Sequence, residues 1–129
     1  MILPITLSSV AAAALINIWL SIRCGQVRTA QKVSVGDGGN EDLIRRMRAH
    51  ANFSENAPIV LVMIAALEFA HSGSTTLAAV AGVFMLGRVA HGLGMDGGSF
   101  GMGRTIGTVV TLLTQLGLAI WAIMTVLGH

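Results

Sequence analysis

The sequence has few charged residues, a single cysteine and no tyrosine. Only 11% of its 129 residues are Asp, Glu, Lys or Arg, less than half the share usual in soluble domains. Cys24 cannot form an internal disulfide, and nothing around it resembles a metal site. A glycine-rich phosphate loop and a Ser/His/Asp set are also missing. We therefore expect no metal and no nucleic-acid partner, and the hydrolase and nucleotide-binding classes have little support.

Apolar residues dominate the chain instead. They make up 53% of it, and the mean hydropathy is +0.75. Four apolar stretches stand out, of which three have about the 20 residues that a membrane crossing requires. They are Leu3 to Ile22, Ala57 to Ala70, Ser74 to Leu93 and Thr105 to Leu127. The sequence predicts an all-α protein, a bundle of four transmembrane helices in one domain over residues 1–129.

The first stretch has an alternative interpretation as a secretory signal peptide. No Lys or Arg precedes it, and Asn17 and Trp19 interrupt the small-residue pattern of a cleavage site. We therefore interpret it as the first transmembrane helix.

Basic residues are confined to two connections. Six lie between the first and second apolar stretches, and two flank the connection between the third and fourth. In chain order they are Arg23, Arg28, Lys32, Arg45, Arg46, Arg48, Arg88 and Arg104. The positive-inside rule then predicts both termini outside the cytoplasm. We assign Arg23, Lys32, Arg45 and Arg46 to topology alone, and expect Glu68, His71 and His129 at the outer aqueous boundary.

The second helix has clear starting signals. Asn40 is a good N-cap, and Glu41 and Asp42 follow it at the positive end of the helix dipole. Glu41 with Arg45, and Asp42 with Arg46, are spaced for i, i+4 ion pairs. A helix from Glu41 to Ala70 would be about 45 Å long, so its first turns should project into the cytoplasm, with a bend after Pro58.

A polar stripe, defined as Arg48, Asn52 and Glu55, lies on one face of this helix because its members are spaced i, i+4, i+7. Arg88, His91 and Arg104 should lie at the same depth on the next two helices. Cations with an amide and a carboxylate suit a small zwitterionic ligand with several carboxylates, such as a tripeptide thiol. An internal salt-bridge network that fixes helix packing explains the same charges equally well.

These motifs resemble the MAPEG superfamily, the membrane-associated proteins of eicosanoid and glutathione metabolism. Arg48-Ala-His-x-Asn52-x-x-Glu55-Asn56-x-Pro58 resembles its second-helix signature, and Gly87-Arg88-Val-Ala-His91 with Arg104 resembles its later motif. The preceding loop is similar to that of the bacterial branch. The likeness covers essentially the whole chain.

The resemblance implies a homotrimer in the bacterial inner membrane, with glutathione as co-substrate in clefts between subunits that open to the cytoplasm. Arg104 matches the arginine that stabilises the thiolate. The residues that would contact glutathione or line its cleft are Arg48, Asn52, Glu55, Asn56, Arg88 and His91, with Arg28 reaching in from a neighbour.

The sequence departs from the family pattern in its tyrosines. Many relatives have tyrosine at the position of Asn56 and several near Met95, whereas this chain has none. Arg104 would therefore act without a phenol, with help from the Thr105 hydroxyl. A lipophilic substrate would enter from membrane lipid along the first and last helices, where the candidate contacts are Trp19, Leu112, Leu116 and Trp121.

The expected function is that of a glutathione transferase or peroxidase acting on lipophilic electrophiles or lipid hydroperoxides. The alternative is a non-catalytic lipid-binding or scaffold member of the same family. A transporter subunit has less support, because no apolar stretch carries an ionisable residue at its midpoint.

Overall fold

Four long helices account for most of the protein. The computed structural model describes residues 2–97 and 101–128, so His129 and part of the connection before the last helix lie outside the described residues. The helices are α1 (Pro4–Gln31), α2 (Glu41–His71), α3 (Thr75–Gly94) and α4 (Met102–Leu127), with a short 3-10 helix at Met95–Gly97. Each of the four is long and apolar enough to cross a membrane, and the described part contains no strand. The predicted four-helix, multi-pass membrane fold is confirmed.

Side-chain caps begin two of the helices. The Asn40 side chain accepts a hydrogen bond from the Leu43 backbone amide at 3.0 Å, which confirms the predicted start of α2. Ser74 caps α3 in the same way through the Leu77 amide, at 3.1 Å. The helix α2 continues through Pro58 to His71, so the polar run and the apolar stretch belong to one helix, as predicted.

One predicted ion pair at the start of α2 is wrong. Arg45 pairs with Glu41 as expected, at 3.0 Å, but it also takes Asp42 at 3.3 Å. Arg46 turns away from its own helix and donates to the backbone carbonyl of Arg23 in α1, at 2.8 Å. Because Asp42 pairs with Arg45 at i, i+3, the Arg46 guanidinium is not needed there and instead joins α2 to α1.

The core lies where α2 packs against the other three helices. Val60 and Ile64 of α2, Phe84 of α3 and Leu118 of α4 are almost completely buried. Large apolar side chains are exposed along the outer faces, and Leu112, Leu116 and Ile120 form such a face on α4. Exposed apolar faces of this kind are unfavourable in water but suit a lipid environment, where an exposed apolar side chain carries no penalty.

Glycines bring α3 and α4 close together. A methyl group on Gly107 would lie 2.6 Å from the Gly87 carbonyl oxygen, and one on Gly103 would lie 2.6 Å from the Ala90 carbonyl oxygen. Both distances are too short for a real carbon. The Gly-xxx-Gly pair of α4 therefore packs against α3 of the same chain.

Glu68 lies near the end of α2, as we expected, but its side chain is covered by protein and does not face water. It is only 1% exposed. Its two carboxylate oxygens accept hydrogen bonds from the backbone amides of Ile5 and Thr6, at 2.8 and 2.7 Å. These amides are among the first N–H groups of α1, which have no partner inside their own helix. Glu68 thus caps α1 from a neighbouring helix.

Candidate functional site

A hydrogen bond between α3 and α2 anchors the predicted site. Nη1 of Arg88 donates to Oδ1 of Asn52 at 2.7 Å. Arg88 is only 2% exposed, and its Nε and Nη2 atoms have no partner among the described residues. A buried cation is costly unless its donors are satisfied, so the bond to Asn52 is a strong constraint on both side chains.

The other two members of the polar stripe face outward. Nη2 of Arg48 lies 3.4 Å from Oε1 of Glu55, and both side chains are more than half exposed. An exposed pair of this kind contributes little to folding. The Arg48–Glu55 pair can therefore separate at small cost, so that each side chain can bind a charged group of a ligand.

His91 and Arg104 lie at the same end of the bundle as Arg88. His91 is 4% exposed and packs against Gly107 of α4. The positive charges of Arg88 and Arg104 both act on its ring. Arg104 is half-buried in the first turn of α4, where the positive end of the helix dipole adds to its own charge. Two arginines and a histidine therefore lie close together at this end of the bundle.

Asn56 is directed into the bundle. Its amino group donates to the backbone carbonyl of Asn52 at 2.8 Å, and its Oδ1 accepts from Nε2 of Gln115 at 2.7 Å. Gln115 was missed in the sequence. The available signal was that Gln115 is the only Asn or Gln in α4, because a polar side chain in a membrane span requires a partner.

Arg28 does not join these residues within the chain. Its Nη1 donates to the Gly36 carbonyl at 2.7 Å, and its Nη2 lies 3.7 Å from the Met47 sulfur. It lines a groove of about 480 Å³ between α1 and α2, which also contains Cys24 and His50. Its predicted contact with the site of a neighbouring subunit stays a prediction.

Two arginines that we had assigned to topology alone also make specific contacts. Arg23 and Arg46 both form ion pairs with Asp96 of the 3-10 helix, and the Arg46 Nε atom lies 3.6 Å from the carboxylate. Arg23 also lies over the Trp19 ring, 5.0 Å from its centre. These pairs connect α1 and α2 to the segment that leads into α4.

Two further observations concern metal binding and the binding of an apolar ligand. In the described ranges, 2–97 and 101–128, His, Cys, Asp and Glu do not cluster in a way that could hold a metal ion. An apolar groove of about 420 Å³ runs between α3 and α4, bordered by Val83, Val110 and Trp121. Of the predicted contacts for a lipophilic substrate, Trp121 borders this groove, and Leu112 and Leu116 lie on the outer face of α4.

Comparison with known proteins identifies the family of the chain. Curated proteins include none that matches the chain. The model of the MAPEG family matches residues 6–124, which include the whole of α2 and α3, most of α1 and α4, and every predicted site residue. Because the match covers nearly the whole chain, this protein belongs to the MAPEG family.

Proposed function

We propose that this protein is a glutathione-dependent membrane enzyme that conjugates glutathione to lipophilic electrophiles or reduces lipid hydroperoxides. Its family membership indicates a role in glutathione-related or eicosanoid metabolism. The observation that carries the proposal is the convergence of Asn52, Arg88, His91 and Arg104 beside the exposed Arg48–Glu55 pair.

The exposed residues fit the charges of glutathione, which has two carboxylates and one ammonium group. Arg48 suits a carboxylate, since its guanidinium can form paired hydrogen bonds, and Glu55 suits the ammonium group. The Asn52 side chain can donate its amino group, because its carbonyl oxygen is held by Arg88. Arg88 and His91 then orient the site from within the protein, since both are buried.

Arg104 is the proposed catalytic residue. A free thiol has a pKa of about 8.5, and each unit of depression requires about 1.4 kcal/mol of preference for the anion. A half-buried guanidinium at a helix N-terminus can supply this preference. In conjugation, a thiolate lone pair forms a bond to an electrophilic carbon, from which a leaving group departs with its electron pair. In peroxide reduction, two glutathione molecules are oxidised to the disulfide, and the hydroperoxide is reduced to an alcohol and water.

The proposed assembly is a homotrimer with its sites between subunits, open to the cytoplasm of a bacterial cell, and with both termini outside. The position of Arg28 supports this arrangement. It lies beside the α1–α2 groove and apart from the other site residues, as expected for a residue that serves a neighbouring subunit.

The test measures conjugation by detergent-solubilised protein with glutathione and a chromogenic electrophile. We expect Arg104→Ala to lower kcat/KM at least tenfold. The matched control is Arg45→Ala, which removes an arginine from an exposed ion pair at the start of α2. Near-background rates in the unaltered protein, or equal rates in the two variants, would contradict the proposal.

A non-catalytic lipid-binding role is the second candidate. The apolar groove between α3 and α4 favours it, as does the internal bonding of Arg88 and Asn56. Thermal unfolding with glutathione distinguishes the two candidates. A ligand at 100 times its dissociation constant adds about 2.7 kcal/mol to the free energy of unfolding. Stabilisation by a lipid but not by glutathione would favour the second candidate.

A further inference from the structure

A chain of three hydrogen bonds crosses the bundle from α4 to α3. Gln115 of α4 donates to Oδ1 of Asn56, at 2.7 Å. The Asn56 amino group donates to the backbone carbonyl of Asn52, at 2.8 Å. The Asn52 side-chain carbonyl accepts from Arg88 of α3, at 2.7 Å. The geometry of Asn52 is therefore linked to a residue deep in α4.

Gln115 lies far from the cytoplasmic end of its helix. It is 11 residues beyond Arg104, which corresponds to about 16 Å along the helix axis. At that depth the amide has no bulk water to bond, so leaving it without a partner would be costly. Its bond to Asn56 is consequently harder to exchange for water than a surface bond would be.

Both ends of the Asn56 amide are engaged inside the protein. The carbonyl end is held by Gln115 and the amino end by the carbonyl of Asn52. These bonds fix the direction of the amide, since reversing it would place two donors or two acceptors against each other. Asn56 is therefore better placed to orient Asn52 than to bind a ligand itself.

We propose that Gln115 and Asn56, the amide pair, are positioning residues that hold Asn52 and Arg88 in a ligand-binding geometry. The proposal rests on the proposed function. It assigns Gln115 a role in affinity for glutathione, although it lies on a different helix from the polar stripe. It also changes the expected role of Asn56 from contact to orientation.

The test compares Gln115→Leu, Asn56→Leu and the double variant in the full-length solubilised protein. Calorimetry measures the Kd for glutathione, and steady-state conjugation gives KM and kcat. We expect each single variant to raise Kd and KM about fivefold or more, with kcat at saturating glutathione within about twofold. The double variant should be no weaker than the worse single variant, because residues of one network are not additive.

Two further variants separate positioning from general damage. The exchanged pair, Asn56→Gln with Gln115→Asn, keeps both amides and should recover most of the lost affinity. The control Thr111→Val removes a buried hydroxyl one turn from Gln115 that has no partner among the described residues, and should bind glutathione normally. An unchanged Kd in Gln115→Leu, or an equal loss in the control, would overturn the proposal.

Melting temperatures of the same variants distinguish failure of this inference from failure of the proposed function. If the melting temperature of the double variant falls by the sum of the two single-variant decreases, the amide pair is not coupled. That result would overturn the inference whatever the protein binds. If the unaltered protein does not bind glutathione but the losses are non-additive, the proposed function fails. The pair would then serve helix packing only.

Discussion

The guanidinium of Arg88, 2% exposed, donates a 2.7 Å hydrogen bond to the side-chain carbonyl of Asn52. This bond joins α3 to α2 at the middle of the polar stripe, where the half-buried Asn52 lies between the exposed Arg48 and Glu55. It connects a costly internal charge to a residue proposed to bind ligand. Stability and recognition therefore depend on the same contact.

Asn52→Ala should destabilise the protein by about 2 kcal/mol, because hydrogen bonds to charged groups contribute about 1.5–3 kcal/mol. The measurement is denaturant-induced unfolding of the solubilised protein. Ser54→Ala, on an exposed face of the same helix, serves as control and should change stability by less than about 0.5 kcal/mol. Equal midpoints for the two variants would show that the Arg88–Asn52 bond contributes little.

Glu68→Leu should loosen the start of α1. The substitution removes both acceptors for the Ile5 and Thr6 amides, and loss of a helix cap costs about 0.5–2 kcal/mol. We expect faster hydrogen exchange at these two amides and a lower free energy of unfolding. Glu41→Gln, which alters an exposed acid at the start of α2, should leave exchange in α1 unchanged. If exchange at Ile5 and Thr6 is equally slow in both variants, the cap is not protecting α1.

The start of α2 could be predicted from the sequence, whereas the hydrogen-bond partners of Glu68 could not. The Asn40 cap and the spacing of the polar stripe depend on neighbours within four or seven residues, which helical geometry determines. The partner of Glu68 is more than 60 residues away, and its direction depends on how α1 and α2 pack. Long-range pairings of this kind, including Asn56 with Gln115 and Asp96 with Arg46, could not be obtained from periodicity.

Asp96 and Arg23 should show measurable coupling in a double-mutant cycle of Asp96→Asn and Arg23→Gln. The Arg23 side chain is 14% exposed and that of Asp96 is 38% exposed, so water screens their interaction only in part. We expect a coupling free energy of about 0.5–1 kcal/mol that falls as salt is added. The exposed Glu41–Arg45 pair is the comparison, with an expected coupling of about 0.3–0.5 kcal/mol. A smaller value for Asp96 and Arg23 than for this pair would argue against a stable contact between the 3-10 helix and α1.

Gly107→Ala should separate α4 from α3 and impair the site. The added methyl group would meet the Gly87 carbonyl at 2.6 Å and would also contact His91. Overpacking of this kind costs about 1–3 kcal/mol. Since Arg104 lies one turn away, we also expect a lower kcat in the conjugation assay.

The matched control is Gly117→Ala in the same helix, where the new methyl group meets nothing within 4 Å. That variant should be as stable as the unaltered protein or slightly more so, because alanine favours helix over glycine by up to about 1 kcal/mol. A Gly107→Ala protein with unchanged stability and activity would show that α3 and α4 can separate without disturbing Arg104, and would remove the steric basis for the position of that residue.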